Sequence, residues 1–365
     1  MLLSILVINI IHIITKKIVS VDYTEYDLGR PRIAVTFIFK DKLVPSYIYF
    51  NTYLSYTVLD TDHVRDLSFK DREKKLLGIE WQYECFLFNV GITINSDYLS
   101  ELNVYIAQVL INFFGLKGIG LGYKIGDESF SLVHQLYKNN KIDHLSFALE
   151  DKERNGTIHF GGIPNDAHLK MPYKGYINID EDLPTWGGHF ESISYKGNTI
   201  TINIPFIINS AVFDMFYSHE LFNILIDNVF KDLLKRKLCK VHYEIIDYLE
   251  CTDDISLNSN IIAFTFSNMY LNLPIKELFY GINNQKKYSL FRGEAFGNLN
   301  FTGLIIGINL LKKFNYTLFD YQTKQISFYS SVYKINFHSF SFVITINVIN
   351  ALLCVSGLLL LIIKK

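Results

Sequence analysis

Two places in the sequence carry an asparagine followed by a small hydroxyl residue at the end of an apolar run. Asn51-Thr52 ends the first run and Asn209-Ser210 ends the second. A carboxamide offers hydrogen-bond donors and an acceptor, but it has no proton to take up or release near neutral pH. Such a side chain can therefore hold a turn by hydrogen bonds, and it does not suit acid–base chemistry.

The other residues apt for catalysis lack the spacing that their chemistry requires. Ten histidines are scattered along the chain, without a His-Glu-x-x-His or Cys-x-x-Cys pattern. The glycine-rich residues 115–122 are not followed by Lys-Ser or Lys-Thr, and no acidic partner for a ribose follows them. The sequence thus predicts no metal site and no cofactor.

Composition limits the classes of protein and partner. The chain has 365 residues, enough for one large domain or two lobes. Its net charge is −1, its charges are interspersed, and it has no basic stripe, so nucleic acid is not an expected partner. Hydrophobic residues make up 49%, and much of this excess lies at the two ends.

The N-terminal apolar run, residues 2–14, has the length of a secretory signal peptide. Ser20 offers a small residue for cleavage, so we predict a signal peptide over residues 1–20. Lys16 and Lys17 follow the run, whereas a typical signal carries its positive charge before it. An uncleaved anchor and an ordinary strand are the alternatives.

The C-terminal run, residues 342–363, carries no charge and ends at Lys364-Lys365. At about 1.5 Å per residue a helix over it reaches ~33 Å, enough to span a bilayer. We predict a transmembrane helix over 341–363 in a type I protein of the secretory pathway or cell surface, with cytoplasmic lysines. A buried helix, or a GPI signal attached near Ser330-Ser331, are the alternatives.

A secretory setting gives meaning to the cysteines and to three sequons. Cys239 and Cys251 close a short loop that a disulfide could bridge, and Cys85 has no obvious partner. N-glycosylation sequons with threonine in the third position begin at Asn155, Asn300 and Asn315.

Between its ends the chain favours β structure. Runs rich in Ile, Val, Tyr, Phe and Thr predict strands at 32–39, 46–50, 56–59, 84–94, 157–160, 190–194, 199–204, 261–266 and 325–329. Helices are predicted near 98–113, 130–139 and 218–238, the last with Ser218 as N-cap. Each half has a strand, an Asn turn, a helix and a glycine-bearing apolar strand. The pattern therefore predicts two barrel-like lobes.

Four stretches resemble the pepsin-like aspartic proteases, particularly their membrane-anchored, yapsin-like members. Residues 114–121 resemble Asp-Gly-Ile-x-Gly-Leu-Gly, and residues 145–149 with 156–162 resemble the strand pair Phe-Ser-x-x-Leu and Gly-x-x-x-Phe-Gly-Gly. Trp186 with residues 190–193 resembles the strand that opens the second lobe. Residues 304–320 resemble Ile-Leu-Gly-x-x-Phe-Leu-x-x-Tyr-x-x-x-Phe-Asp. Order and spacing agree over residues 30–330, against the alternative of an unrelated β-sandwich.

The resemblance implies an all-β fold with minor helices, in which two β-barrel-like lobes flank a cleft. The corresponding boundaries are an N-terminal lobe over 21–175 and a C-terminal lobe over 176–335. A peptide or protein ligand in the inter-lobe cleft is then the expected partner, beside the membrane that the C-terminal helix would span.

The family's chemistry requires one aspartate from each lobe, and the pair holds a water and shares a proton. In the turn that resembles Asp-Thr-Gly-Ser, Asn51 stands at the aspartate and Tyr53 at the glycine. In the second turn Asn209 stands at the aspartate and Ala211 at the glycine. The resemblance therefore implies a degenerate pair and an inactive protease homologue that serves as a binding or structural protein.

An active peptidase with a displaced or unrecognised aspartate pair is the alternative. Asp60, in Asp-Thr-Asp, and Asp214 are the carboxylates nearest the two turns in sequence. Tyr83 is a candidate for the tyrosine of the flap that covers the substrate in this family, or else an ordinary strand aromatic.

Overall fold

The protein is built mostly of β-strands, as the sequence predicts. The computed structural model describes residues 17–26, 30–39, 42–60, 74–77, 83–94, 97–107, 118–123, 130–152, 155–164, 173–183, 185–212, 215–243, 247–252, 260–266, 269–281, 287–292 and 303–330. Within these ranges the strands form two sheets. Every run that was predicted to be a strand overlaps a strand of the structure.

The first sheet has thirteen strands, drawn from both ends of the chain. They are β1 (Val19–Tyr26), β2 (Arg30–Phe39), β3 (Lys42–Asn51), β4 (Thr57–Asp60), β5 (Lys74–Leu77), β6 (Tyr83–Ile94), β7 (Asp97–Ala107), β8 (Ile119–Gly120), β9 (Ser146–Lys152), β10 (Asn155–Phe160), β11 (Tyr173–Asn178), β22 (Tyr316–Asp320) and β23 (Gln325–Tyr329). The main path runs β11-β23-β22-β9-β10-β1-β2-β6-β7-β4, while β3 pairs with β2 and β8, and β5 with β6. The last two strands of the chain thus lie in the sheet of its first half.

The second sheet has ten strands from the second half of the chain. They are β12 (Gly187–Tyr195), β13 (Asn198–Asn209), β14 (Phe216–Tyr217), β15 (Cys239–His242), β16 (Tyr248–Thr252), β17 (Ile261–Phe266), β18 (Met269–Pro274), β19 (Tyr280–Gly281), β20 (Lys287–Arg292) and β21 (Leu304–Gly307). The order is β15-β16-β20-β14-β21-β13-β12-β17-β18, with β19 beside β20.

Helices in the described residues are short and lie between strands. They are α1 (Leu132–Lys138), α2 (His219–Asn228), α3 (Lys231–Lys235), α4 (Ile308–Leu311) and a 3₁₀ turn (Ile275–Leu278). Ser218 caps α2, because its side chain accepts the Leu221 N–H, and this confirms the predicted N-cap. The helix predicted over 218–238 is broken between α2 and α3.

The helix predicted near residues 98–113 is wrong for its described part, because residues 98–107 belong to strand β7. Leu102, Val104 and Ile106 are fully buried on one face of the strand; on the other face Glu101 is exposed and Asn103 half-buried, although Tyr105 is buried. This alternation has the period of two that a half-buried strand requires. The antiparallel pairing of β7 with β6 then fixes the segment as strand.

An aromatic cluster joins the two sheets in the core. Trp186 is fully buried and contacts the rings of Phe147, Phe319 and Tyr321, with the Trp186 and Tyr321 centroids 4.7 Å apart. Phe147 and Phe319 stack at 4.6 Å across β9 and β22. The core therefore depends on residues from both halves of the chain.

The predicted disulfide between Cys239 and Cys251 is present and ties β15 to β16. The two residues face each other directly in the antiparallel pair. Their Cα atoms are 4.0 Å apart, slightly closer than the ~4.4–6.8 Å usual for disulfides, because the strand pairing brings them together.

The predicted terminal segments lie largely outside the described residues. Lys17 is the first described residue, and Val19 and Ser20 already pair with β10 as part of β1. The run at 342–363 is not among the described residues. Within the part that is described, no helix has the length and apolar character needed to cross a membrane.

Candidate functional site

Asn51 ends β3 at a point where the chain meets a second, parallel segment. Phe50 and Asn51 pair with Ile119 and Gly120 of β8. The Asn51 carbonyl also accepts the Leu121 N–H at 2.8 Å. Asn51 itself is fully buried. The glycine-bearing segment 119–121 thus supports the turn that follows Asn51.

Asn209 ends β13 in the same arrangement in the second sheet. Residues 206–209 pair in parallel with β21, so that Asn209 lies opposite Gly307. Asn209 is 2% exposed. Both asparagines therefore stand at the end of a strand beside an Ile-Gly segment, and the two halves of the chain repeat one local design.

Thr52 and Ser210 join the two turns directly. The Thr52 N–H donates to Ser210 Oγ at 3.0 Å, and the Ser210 N–H donates to Thr52 Oγ1 at 2.9 Å. The Thr52 hydroxyl donates to the Ile208 carbonyl at 3.0 Å, and the Ser210 hydroxyl to the Phe50 carbonyl at 2.9 Å. We call these four hydrogen bonds the hydroxyl clasp.

The hydroxyl clasp bounds the distance between the two asparagines. The path from the Asn51 Cα through the Thr52 nitrogen and the Ser210 hydroxyl to the Asn209 Cα includes one hydrogen bond of 3.0 Å. With standard covalent distances the whole path is about 12 Å, which is an upper limit for the Cα separation. The Cα atoms of the two asparagines therefore lie within about 12 Å of each other, near the junction of the turns.

Each asparagine side chain is held by its own turn. Asn51 Oδ1 accepts the N–H groups of Tyr53 and Leu54 at 2.8 and 3.3 Å. Asn209 Oδ1 accepts the Ala211 N–H at 3.0 Å. Because backbone N–H groups need an acceptor, these contacts fix the oxygen of each amide toward its own turn.

Glycine is required where the supporting segment passes beneath the first turn. A Cβ on Gly120 would lie 2.5 Å from backbone atoms of Tyr56, and one on Gly122 would lie 2.6 Å from the Leu54 carbonyl carbon. Neither approach is sterically possible, so both positions need glycine. Residues 118–122 of the glycine-rich segment are described, and this close approach explains two of its glycines.

Thr185 and Trp186 also hold the turns, and this role of Thr185 was not predicted from the sequence. The Thr185 hydroxyl donates to the Thr52 carbonyl at 2.7 Å. The indole N–H of Trp186 donates to the Leu121 carbonyl at 2.5 Å, and its carbonyl accepts the Ile208 N–H at 2.8 Å. The only sequence signal for this role is a threonine next to the tryptophan, and it is weak because threonine is common in β-rich chains.

Of the remaining predicted site residues, Asp60 and Tyr83 lie in described strands and Asp214 does not. Asp60 ends β4, three residues beyond Thr57, whose hydroxyl accepts the Gly120 N–H. At ~3.3 Å per residue this puts Asp60 roughly 10 Å further along the strand. Asp214 is not among the described residues. Tyr83 begins β6 opposite Leu77 of β5, so it lies in a hairpin.

The predicted glycosylation sites differ in their exposure to solvent. Asn155 is exposed at the start of β10, and Asn315 is partly buried just before β22. Asn300 lies outside the described residues. In the part of the chain that is described, no group of three His, Cys, Asp or Glu side chains is placed to hold a metal ion.

Two sheets joined through paired turns, each at the end of a strand, define the class of the aspartic proteases. The family model of the eukaryotic aspartyl proteases matches residues 85–331, so the chain belongs to this family. The matched span includes Asn209 and begins after Asn51.

A solved structure supports the same fold. The aspartic proteinase from Irpex lacteus superposes with a TM-score of 0.64 over 87% of this chain and 98% of that chain. The sequence identity is 16%, so this similarity concerns the fold alone. Among curated protein sequences, none matches this chain.

Proposed function

We propose that this protein is a catalytically inactive, membrane-anchored homologue of the pepsin-like aspartic proteases that binds peptides or proteins without cleaving them. The observation that carries the proposal is the pair Asn51 and Asn209. They end corresponding strands and lie within about 12 Å of each other, and the resemblance assigns them to the positions where the family chemistry needs two carboxylates.

Peptide cleavage at such a pair requires proton transfer. A carboxylate pair can share a proton, so that one group draws a proton from water while the other protonates the leaving amine. An amide can do neither near neutral pH. Since each Oδ1 already accepts a hydrogen bond from its own turn, the amides stabilise the turns and leave water without a base.

Binding remains compatible with this arrangement. The hydroxyl clasp joins the turns through Thr52 and Ser210, and no asparagine side chain takes part in it. The junction between the two halves therefore does not require catalytic carboxylates. We propose that the cleft between the lobes receives an extended peptide segment, which is released intact.

We also propose that the protein lies in an oxidising compartment and is anchored in the membrane by its C-terminal run. The Cys239–Cys251 disulfide supports an oxidising compartment, and the uncharged run at 342–363 supports a transmembrane anchor. Because Val19 and Ser20 are part of β1, we propose that the leader ends before Lys17, upstream of the boundary suggested by the sequence. Protease protection of the chain in sealed membranes, with N-terminal mass mapping, tests both points.

Peptide cleavage by the purified full-length chain in detergent is the decisive experiment. We expect no cleavage of a diverse peptide pool at any pH from about 2 to 7, and no tight binding of pepstatin-type inhibitors. Peptides that co-purify or bind should be recovered intact by mass spectrometry.

The control is a variant in which Asp60 and Asp214 are both replaced by alanine. Wild-type cleavage that this variant abolishes would overturn the proposal and establish an active peptidase with a displaced pair. Cleavage that persists in the variant would identify a contaminating protease. If the protein neither cleaves nor binds peptides, the proposed binding function is wrong.

A further inference from the structure

Three polar side chains form a hydrogen-bonded row on the first sheet, well away in sequence from the Asn turns. Ser20 on β1 lies opposite His159 on β10, and Ser20 Oγ is 2.8 Å from His159 Nδ1. His159 Nε2 is 3.0 Å from Glu150 Oε2 on β9. The row therefore runs hydroxyl, imidazole, carboxylate, which is the order that activates a serine nucleophile.

Only the hydroxyl end of this row is exposed. Ser20 is exposed, His159 is 5% exposed, and the Glu150 side chain is 15% exposed. An external reagent can thus reach the hydroxyl, while the imidazole and the carboxylate are screened from water. Neighbouring strands hold all three residues, so their geometry is fixed by the sheet.

The bonding pattern sets the tautomer of His159. An ionised carboxylate only accepts hydrogen bonds, so the imidazole proton lies on Nε2, facing Glu150. Nδ1 then carries the lone pair and accepts the Ser20 O–H. Burial lowers the pKa of His159, despite the opposing effect of Glu150, and this keeps the imidazole neutral near pH 7.

Other groups around His159 maintain the ionised state of Glu150. Burial alone would raise the pKa of Glu150, but hydrogen bonds from Tyr316, His159 and Lys152 outweigh it and hold the pKa below its ordinary value. The Tyr316 hydroxyl donates to Glu150 Oε1 at 2.7 Å, and Lys152 Nζ lies 3.0 Å from Oε2.

Asp22 is the remaining charged group that faces His159, from β1. It accepts the Thr157 hydroxyl at 2.8 Å. Its negative charge favours the imidazolium that a base must become, because opposite charges stabilise the charged form.

We propose that Ser20 is an acyl-acceptor site, with His159 as its general base and Glu150 as the residue that positions and stabilises the imidazole. The substrate class is an activated carboxylic ester. Ser20 Oγ attacks the carbonyl carbon while its proton passes to His159 Nδ1. The carbon–oxygen bond to the leaving group then breaks, and the leaving alkoxide takes the proton from the imidazolium. The products are one ester on Ser20 and one free alcohol.

The test uses the full-length chain in detergent with p-nitrophenyl acetate as the probe. We expect up to one equivalent of p-nitrophenol per chain, with the acetyl group located at Ser20 by peptide mass mapping. The rate should follow a single ionisation with its midpoint below the ordinary ~6.5 of histidine and then level off, because burial lowers the pKa of His159.

Four variants separate catalysis from structure. Ser20→Ala should remove the acetyl group, and His159→Gln should slow acetylation at Ser20 by about 100-fold. Glu150→Gln should also slow it. Ser194→Ala removes a serine whose hydroxyl is bonded to Thr199, and it should change nothing. Unfolding midpoints identify any variant that fails to fold. If a variant fails, the pH profile of the wild type tests whether a histidine acts as the base.

A purely structural row would give different results. Acetylation of Ser20 no faster than that of Ser194, a rate that rises steadily with hydroxide, or an unchanged rate in a folded His159→Gln variant would each overturn the proposal. The proposal does not depend on the state of the Asn turns, so peptide cleavage in the other experiment would leave it unaffected.

Discussion

Thr52 and Ser210, 158 residues apart, each donate a backbone N–H to the other's hydroxyl. Each hydroxyl then donates to a carbonyl in the opposite half, at Ile208 and at Phe50. Both residues are fully buried, so the four groups have no water to replace a lost partner. The junction between the two halves therefore relies on hydroxyls, independently of what the adjacent side chains can catalyse.

Thr52→Ala should destabilise the protein by about 2–3 kcal/mol. The change leaves the Ser210 N–H and the Ile208 carbonyl without the Thr52 hydroxyl, and an unsatisfied buried group costs about 1–3 kcal/mol. Urea unfolding followed by fluorescence measures the loss.

Two matched variants accompany this measurement. Thr52→Ser keeps the hydroxyl and should recover most of the stability. Thr199→Ala removes an exposed hydroxyl on β13 and should cost less than about 0.5 kcal/mol. Equal losses in Thr52→Ala and Thr199→Ala would show that the hydroxyl clasp adds nothing to stability.

Asn51→Asp alone, or Asn209→Asp alone, should restore no peptide cleavage. A single carboxylate cannot be base and acid in the same step. The double variant should also stay inactive while Tyr53 and Ala211 occupy the positions where the family has glycine. Adding Tyr53→Gly and Ala211→Gly should raise cleavage at acid pH. Activity in either single variant would contradict the two-carboxylate argument.

Cys239→Ser with Cys251→Ser should lower the free energy of unfolding by about 3 kcal/mol, from the entropy of a short closed loop. Reduction of the wild type by dithiothreitol should give a similar loss. Cys85→Ser changes a cysteine outside the bridge and is the control. A wild type whose stability is insensitive to reductant would contradict a structural role for the bridge.

Acid should weaken the contact between β9 and β22. Burial alone would raise the pKa of Asp320, but bonds from His144 and from the N–H groups of Thr323 and Gln322 outweigh it and lower the pKa. A lowered pKa gives stability that is present above about pH 3.9 and is lost as the pH falls through the folded-state value.

Asp320→Asn should therefore reduce stability at pH 7 and flatten its dependence on pH below about 4. The measurement is the urea midpoint as a function of pH. Asp182→Asn, at an exposed carboxyl, is the matched control. A variant with the same acid slope as the wild type would show that Asp320 is not the responsible group.

Local patterns carried most of the fold prediction. The strand at 261–266 and the strand at 325–329 were predicted with the bounds that the structure has, because β-branched and aromatic residues lie between clear turn residues. The N-cap at Ser218 and the Cys239–Cys251 bridge were likewise readable from short segments. The Asn turns could be placed only by resemblance, since an asparagine after a strand has no unique meaning.

Long-range relations could not be predicted from local pattern. Thr185 contacts Thr52 across 133 positions, and nothing in its neighbours signals that contact. The helix predicted near residues 98–113 is wrong over β7, because pairing with β6, a separate segment, makes these residues a strand. The Ser20–His159–Glu150 row could not be predicted either, because it depends on the order of three strands in the sheet.

The return of β22 and β23 to the first sheet has a consequence for how the chain folds. Tyr316 pairs with Glu150, 166 positions earlier, and β23 pairs with β11. The edges of β9 and β11 therefore stay open until the chain has been synthesised through Tyr329. Such non-local pairing is slow, and an open edge is a template for misassembly. A nascent chain of this protein would need protection of those two edges, in the form of a chaperone or of the rapid arrival of its own last strands.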